Sequence, residues 1–301
     1  MSKTRISIHV LVTGLILLCL PLATVNASDG DLKNLEAKLR QQMVGKVAVL
    51  RNFYKDSDLT FAADGALLGT SKSGPWTYFG RIQVSSIALT HDSIVIKGGR
   101  NVVQWELSAN EFKNYTLDEK PVRIEIRLNA GADENAVAAA ITKVFLTRET
   151  RLSDITPSYW QEVLATERER RAEWEKERSA AMKDVRTINT EITSPKLLSS
   201  SAGIEVSSRP FKDLVPNNLT LSFIVDPQGE VQQLQIEKPV GLGLDDPIAE
   251  TIEHWKWQPA TSNGKPIAVL MYAKFLFPAE KGHIDPYHTQ PCPNLPNVFQ
   301  C

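Results

Sequence analysis

Cysteine is scarce in this chain: three residues among 301, at positions 19, 292 and 301. So sparse a set excludes a disulfide-stapled scaffold and supplies no Cys-x-x-Cys pair for a structural zinc. Reactive signatures are missing as well. No His-Glu-x-x-His, Gly-x-Ser-x-Gly or phosphate-cradling Gly-Lys-Ser/Thr occurs, so no catalytic residue, metal or cofactor is expected. An excess of one charge is also absent. The 34 basic and 35 acidic residues leave a net charge of −1, which gives no field to gather nucleic acid. Glycine (16) and proline (17) are too few for a low-complexity chain. What remains is an ordinary globular composition, 42% hydrophobic, long enough for about two domains.

There is one long apolar run. It begins at Ile6 after Lys3 and Arg5, and Val25 and Ala27 put small residues where a signal peptidase cuts. Residues 1–27 are therefore expected to be a signal for export. The run is also about 20 residues long, enough to span a bilayer, so an uncleaved anchor is the alternative. Cys19 lies inside this segment. Cys292 and Cys301 would remain, flanking a Pro-rich stretch of the 279–301 tail, where a disulfide loop is expected. Free thiols, or a metal site with His283 and His288, are the other readings.

From Asp31 to Met43, Leu32, Leu35, Leu39 and Met43 recur at three- and four-residue steps, the spacing of an amphipathic helix. Residues 46–128 change to short Val-, Ile-, Phe- and Trp-rich runs punctuated by Asp64-Gly65, Gly74-Pro75, Asp92-Ser93 and Gly98-Gly99, read as turns. Val122, Ile124, Ile126 and Leu128 alternate with charged residues, which predicts a half-buried antiparallel sheet. A helix over about 133–146 closes an α+β domain spanning 28–150. An enzymatic alternative would place a hydrolase here, using Asp64, Arg81, His91 and Arg100.

Residues 151–210 are read as a charged helical spacer, Tyr159 to Val185, followed by a Ser-rich linker. Glu167–Arg171, Glu173–Lys176 and Glu175–Arg178 are spaced to pair on a solvated helix. Trp160, Leu164, Trp174 and Met182 make a thin apolar stripe. Beyond the linker, Leu219–Val225 and Val231–Ile236 flank the turn Asp226-Pro-Gln-Gly229, a β-hairpin. Asp245 or Asp246 is expected to cap a helix with Pro247 in its first turn. Asn263-Gly264 marks another turn, and Ile267–Phe277 reads as a final apolar strand.

The succession of Asp226, Gly229 and Val231, then Leu244 and Asp245, then Trp255, Trp257, Pro259 and Ala260, then Gly264 and Pro266, resembles the C-terminal domain of the TonB family. The resemblance covers residues 211–278 and implies a small ββαβ fold. It also implies a periplasmic location and contact with a TonB-dependent outer-membrane receptor, or with another envelope protein. In that family a receptor peptide adds as a strand beside the module's last strand, which carries the strand-edge candidates over to Ile267, Val269, Met271, Ala273 and Lys274. Met271→Pro is expected to abolish such binding by removing a ladder donor. The signature residues themselves read as structural: Trp255 and Trp257 as apolar anchors, Pro259 as the stop of the helix, Gly229 and Gly264 as turn formers.

Two departures from the family pattern bear on function. The long Pro-rich spacer is absent, and Ser7 and His9 do not match the anchor helix of an energy transducer. Coupling to an ExbB/ExbD motor is therefore expected only if the chain stays anchored. The alternative is a soluble periplasmic adaptor that contacts protein or peptidoglycan without energy input.

Overall fold

The computed structural model describes residues 29–106, 108–109, 111–147, 149–165, 168–199, 204–205, 217–277, 283–284 and 298–300. The 1–27 segment and both Cys292 and Cys301 lie outside them. Among the described residues no helix is long and apolar enough to cross a membrane.

Helix α1 (Asp29–Met43) forms where the three- and four-residue apolar spacing begins, and Leu32, Leu35, Leu39 and Met43 are all buried. It packs on a five-stranded sheet built from β1 (Val47–Val49), β2 (Asp58–Phe61), β3 (Arg81–Leu89), β4 (Ser93–Glu106) and β5 (Glu111–Arg127). A short helix, α2 (Trp76–Phe79), precedes β3. The strand order is β1-β3-β4-β5-β2. Three neighbouring pairs are antiparallel, but β2 joins β5 in parallel, so the sheet is mixed. Ile94, Ile96, Ile124 and Ile126 are fully buried, as their alternation requires. Helix α3 (Glu134–Val144) closes the same face, capped by the Asp133 carboxylate, which accepts the Ala136 N–H at 2.8 Å.

Gly98-Gly99 is not a turn. Both glycines lie inside β4, where the register shifts on either side. A Cβ on Gly98 would sit 2.2 Å from the Gln83 carbonyl oxygen. The pair marks a bulge with close backbone approach, the other structural use of strand glycine.

The charged stretch after α3 is broken rather than continuous. A turn of 3-10 helix at Ser158–Trp160 leads into α4 (Gln161–Leu164), and α5 (Arg168–Ala181) follows. The expected linker then supplies strands: β6 (Ile192–Thr193), β7 (Lys196–Ser199) and β8 (Ile204–Glu205). The C-terminal module follows as β9 (Asn217–Val225), β10 (Val231–Lys238), α6 (Asp245–Glu253), β11 (Lys256–Gln258), β12 (Ala260–Ser262), β13 (Lys265–Ile267) and β14 (Val269–Phe277). Its main strands and helix keep the expected ββαβ order. Residues 192–199 are stitched to it, β6 onto β12 and β7 onto β11. In the tail, β15 (His283–Ile284) pairs with β8, and β16 (Val298–Gln300) pairs with β14.

The two halves of the chain share a core. One apolar cluster holds α1, α3 and the inner face of the five-stranded sheet. The other joins Phe53, Trp76, Val103 and Trp105 of the first half to Tyr159, Trp160 and the module's Phe223, Trp255, Trp257 and Phe275. Trp160 meets Trp76 edge to face at 5.3 Å. Backbone stitches the same boundary: the Trp105 N–H donates to Val240 O and the Leu242 N–H to Val103 O, both at 2.8 Å.

Gly241 sits at this seam with φ +88°, and a Cβ there would lie 2.3 Å from the Val103 oxygen. Gly241→Ala should therefore cost more than the ~1–2 kcal/mol of a left-handed residue, because backbone must also move. Urea unfolding checks this, and an unchanged midpoint would mean that the seam is not load-sharing.

Candidate functional site

The module's sheet runs β10-β9-β14-β16. Strand β14 pairs with β9 along its whole length, from Val269↔Val225 to Phe277↔Asn217. Val269, Met271, Ala273 and Phe275 turn their side chains into the core and are buried, while Leu270, Tyr272 and Lys274 alternate with them on the opposite face. Ile267 belongs to β13, paired with Ala260, and is not on the edge strand. The single residue Ala268, outside either strand, separates the two segments that the sequence joins into one apolar run.

The backbone direction of each β14 residue follows from two hydrogen bonds to one neighbour. Leu270 N–H donates to Arg186 O at 3.2 Å, and Arg186 N–H donates to Ala268 O at 3.0 Å. Even-numbered residues therefore aim their N–H and C=O at the outer edge, and odd-numbered residues aim theirs at β9. The Met271 amide faces β9. Met271→Pro would break the internal ladder instead of the partner edge, so Tyr272 and Lys274 carry the outward groups that Met271 was expected to supply.

That edge is occupied within the chain. Arg186 covers its start, and β16 lies parallel beside its middle in the register Tyr272↔Val298, Ala273↔Phe299, Lys274↔Gln300. The opposite border of the sheet, β10, is covered by residues 158–164, whose Tyr159, Trp160, Val163 and Leu164 are buried. Of these elements, the Trp160 and Leu164 stripe was legible in the sequence. The Arg186 contact runs through backbone and had no side-chain signature.

The face of the sheet away from the core carries Ser222, Glu237, Tyr272 and Lys274 beside the apolar Ile224 and Leu270. Arg178 of α5 donates to Glu162 at 2.7 Å, to Ser222 Oγ at 2.8 Å and to Glu237 at 3.1 Å, which docks the charged helix onto the module. Burial, with Glu237 nearby, raises the Tyr272 hydroxyl above its ordinary value. Burial, then the neighbouring Lys274, lowers Lys238.

The signature residues shape this module from inside. Asp226 accepts the N–H groups of Gln228 and Glu230 at 2.9 Å each, fixing the β9–β10 turn, in which Gly229 has φ +83°. Val231 opens the returning strand. Leu244, Trp255, Trp257 and Ala260 are buried. Pro259 lies between β11 and β12, past the end of α6 at Glu253, so it does not stop the helix. Gly264 turns β12 into β13, where Pro266 opposes Thr261.

Asp245 and Asp246 do not cap α6 as expected, for Leu244 holds the N-cap position and no side chain caps it. The Asp245 carboxylate instead accepts the N–H groups of Val240 and Gly241 at 2.7 Å each, holding the seam loop. Asp246 Oδ1 accepts Tyr159 OH at 3.0 Å and Trp160 Nε1–H at 2.6 Å. Burial pushes Asp245 up to about 7 and Asp246 up to about 6, outweighing the donors that favour their charged forms.

The polar candidates of the first half have separate structural partners. Arg100 is buried and donates to the carbonyls of Phe79, Tyr54 and Asp56. Arg81 donates to Asn114 Oδ1, and Asp64 accepts the Ala66 N–H. His91 lies in the turn between β3 and β4. Burial lowers both arginines to about 10.

A small sheet backed by one helix, its last strand edged by backbone from elsewhere in the same chain, makes up this module. Residues 218–278 match the family described as Gram-negative bacterial TonB protein C-terminal. The chain thus carries a TonB C-terminal domain over roughly a fifth of its length, and the residues before it are unassigned. Comparison of the chain with curated proteins finds no match.

Proposed function

We propose that this is an exported Gram-negative envelope protein whose TonB-like module binds an extended segment of a partner protein along the outer edge of β14, the partner being a TonB-dependent outer-membrane transporter. The observation that carries the reading is the outward row of backbone groups at Leu270, Tyr272 and Lys274, which takes two other pieces of this chain in parallel. An edge of this kind gains affinity from the ladder and asks little of the incoming side chains. The family match of residues 218–278 supports the class of partner. We propose no enzymatic role.

Energy transduction would further require the 6–25 run to remain as an anchor and to engage an ExbB/ExbD motor. A soluble periplasmic adaptor, contacting protein or peptidoglycan without energy coupling, is the second reading. It is favoured by one observation: the charged helix is folded back onto the module through Arg178 instead of extending as a spacer.

Tyr272→Pro tests the edge. Proline is tolerated where its missing N–H faces outward from a sheet, so the variant should keep its circular dichroism spectrum. It should lose at least tenfold in affinity for an extended peptide from a transporter's periplasmic N-terminal segment, read by fluorescence anisotropy. Met271→Pro, which removes a donor to β9, should unfold. Unchanged affinity in folded Tyr272→Pro would sink the proposal.

A further inference from the structure

We infer that the chain's own C-terminal strand is a displaceable occupant of the partner edge, so that partner binding and release of residues 298–300 are a single exchange. The inference rests on reading β14 as the partner edge. Its basis is the unequal hold of the two internal occupants. Arg186 lies between α5, tied to the module through Arg178, and β6, paired with β12. It is fixed from both sides. Strand β16 is three residues long, pairs among the described residues with β14 alone, and has β15 as the nearest described pairing before it.

The geometry also states what an incoming segment must look like. In a parallel ladder, the residue between two outward-facing partners uses both its N–H and its C=O. Phe299 stands opposite Ala273, between outward-facing Tyr272 and Lys274, and so holds that place. A partner strand must run in the same direction as β14 and must carry no proline at the Phe299 position. Tethering gives the tail the advantage of an intramolecular ligand, whose effective concentration exceeds that of a dilute free segment. A free segment of comparable ladder strength therefore binds weakly until the tail is disabled.

The test uses the full chain, a full-chain Phe299→Pro variant, and a fluorescent peptide copying residues 293–300 as the probe. Phe299→Pro should bind the peptide at least tenfold more tightly than the unaltered chain, with one peptide per chain. Equal affinity for the two chains, or no binding to Phe299→Pro, overturns the inference. A concentration-dependent dimer that disappears in Phe299→Pro would assign the strand to a second copy and overturn it as well. A transporter-derived segment run in parallel separates the two claims. If it binds both chains equally, the edge reading stands and the tail inference fails. If it binds neither while the tail peptide binds Phe299→Pro, the transporter reading fails and the tail occupancy stands.

Discussion

Trp160→Ala is expected to lower the stability of the whole chain by about 3–5 kcal/mol, the range for removing a large buried aromatic. Trp160 is fully buried and meets Trp76 edge to face, with Phe112 6.3 Å away. It also gives its indole N–H to Asp246 at 2.6 Å. Truncation would open a cavity in the core that the two halves share, and would take one of two side-chain donors from a buried carboxylate. Because that core spans both halves, the loss should be felt by probes in each. Urea unfolding followed by tryptophan fluorescence and far-ultraviolet circular dichroism should show coincident transitions shifted together. A shift below about 1 kcal/mol, or two separated transitions with only one displaced, would show that the halves fold independently.

That coupling was only partly legible in the sequence. The periodicities of Leu32 to Met43 and of Val122 to Ile126 name α1 and β5, since each buries one face and its neighbours do not. The module was legible through turn chemistry and tryptophan spacing, because its small core tolerates few arrangements. The seam was not. Gly241 and Leu242 read as part of a loop before a helix, yet their backbone completes the end of β4, a contact far apart in sequence that composition does not record. Asp245 and Asp246 looked like a helix cap because acids at a helix start usually are. Only tertiary placement turns Asp245 to the seam loop and Asp246 to Tyr159 and Trp160. The candidate edge was half legible: the strand follows from its apolar alternation, but which residues point their amides outward depends on which neighbour takes the other side.

The second large expectation concerns pH. Asp245 and Asp246 are adjacent, buried and raised in the fold to about 7 and about 6, against an ordinary 3.8. Desolvation is the chief cause for both. Asp246 adds to it at Asp245, and Glu250 adds to it at Asp246, while Glu253 on the same helix is itself raised by burial. The fold thus holds protons that the unfolded chain releases near pH 4. A group raised in this sense contributes stability that is full below its unfolded value and is lost as pH rises through its folded value. Stability should therefore fall between about pH 4 and pH 7, by several kcal/mol at roughly 1.4 kcal/mol per pKa unit. Asp246→Asn keeps an oxygen acceptor for Tyr159 and Trp160 while removing one titration, so its profile should be flatter. Thermal melts across this range provide the measurement. Stability that rises toward pH 7 in the unaltered chain, or an Asp246→Asn profile as steep as the original, would contradict the assignment.

The central claim is that a partner's backbone lies along β14. The measurement that addresses it most directly is an isotope-filtered NMR experiment on the full chain bound to an unlabelled transporter segment, observing which protein amides lie beside the peptide. The account predicts peptide cross-peaks at the outward amides of Tyr272 and Lys274, with loss of the contacts these residues make to Val298–Gln300. Peptide contacts confined to β10 or to the five-stranded sheet, with the β14–β16 pairing intact, would contradict it.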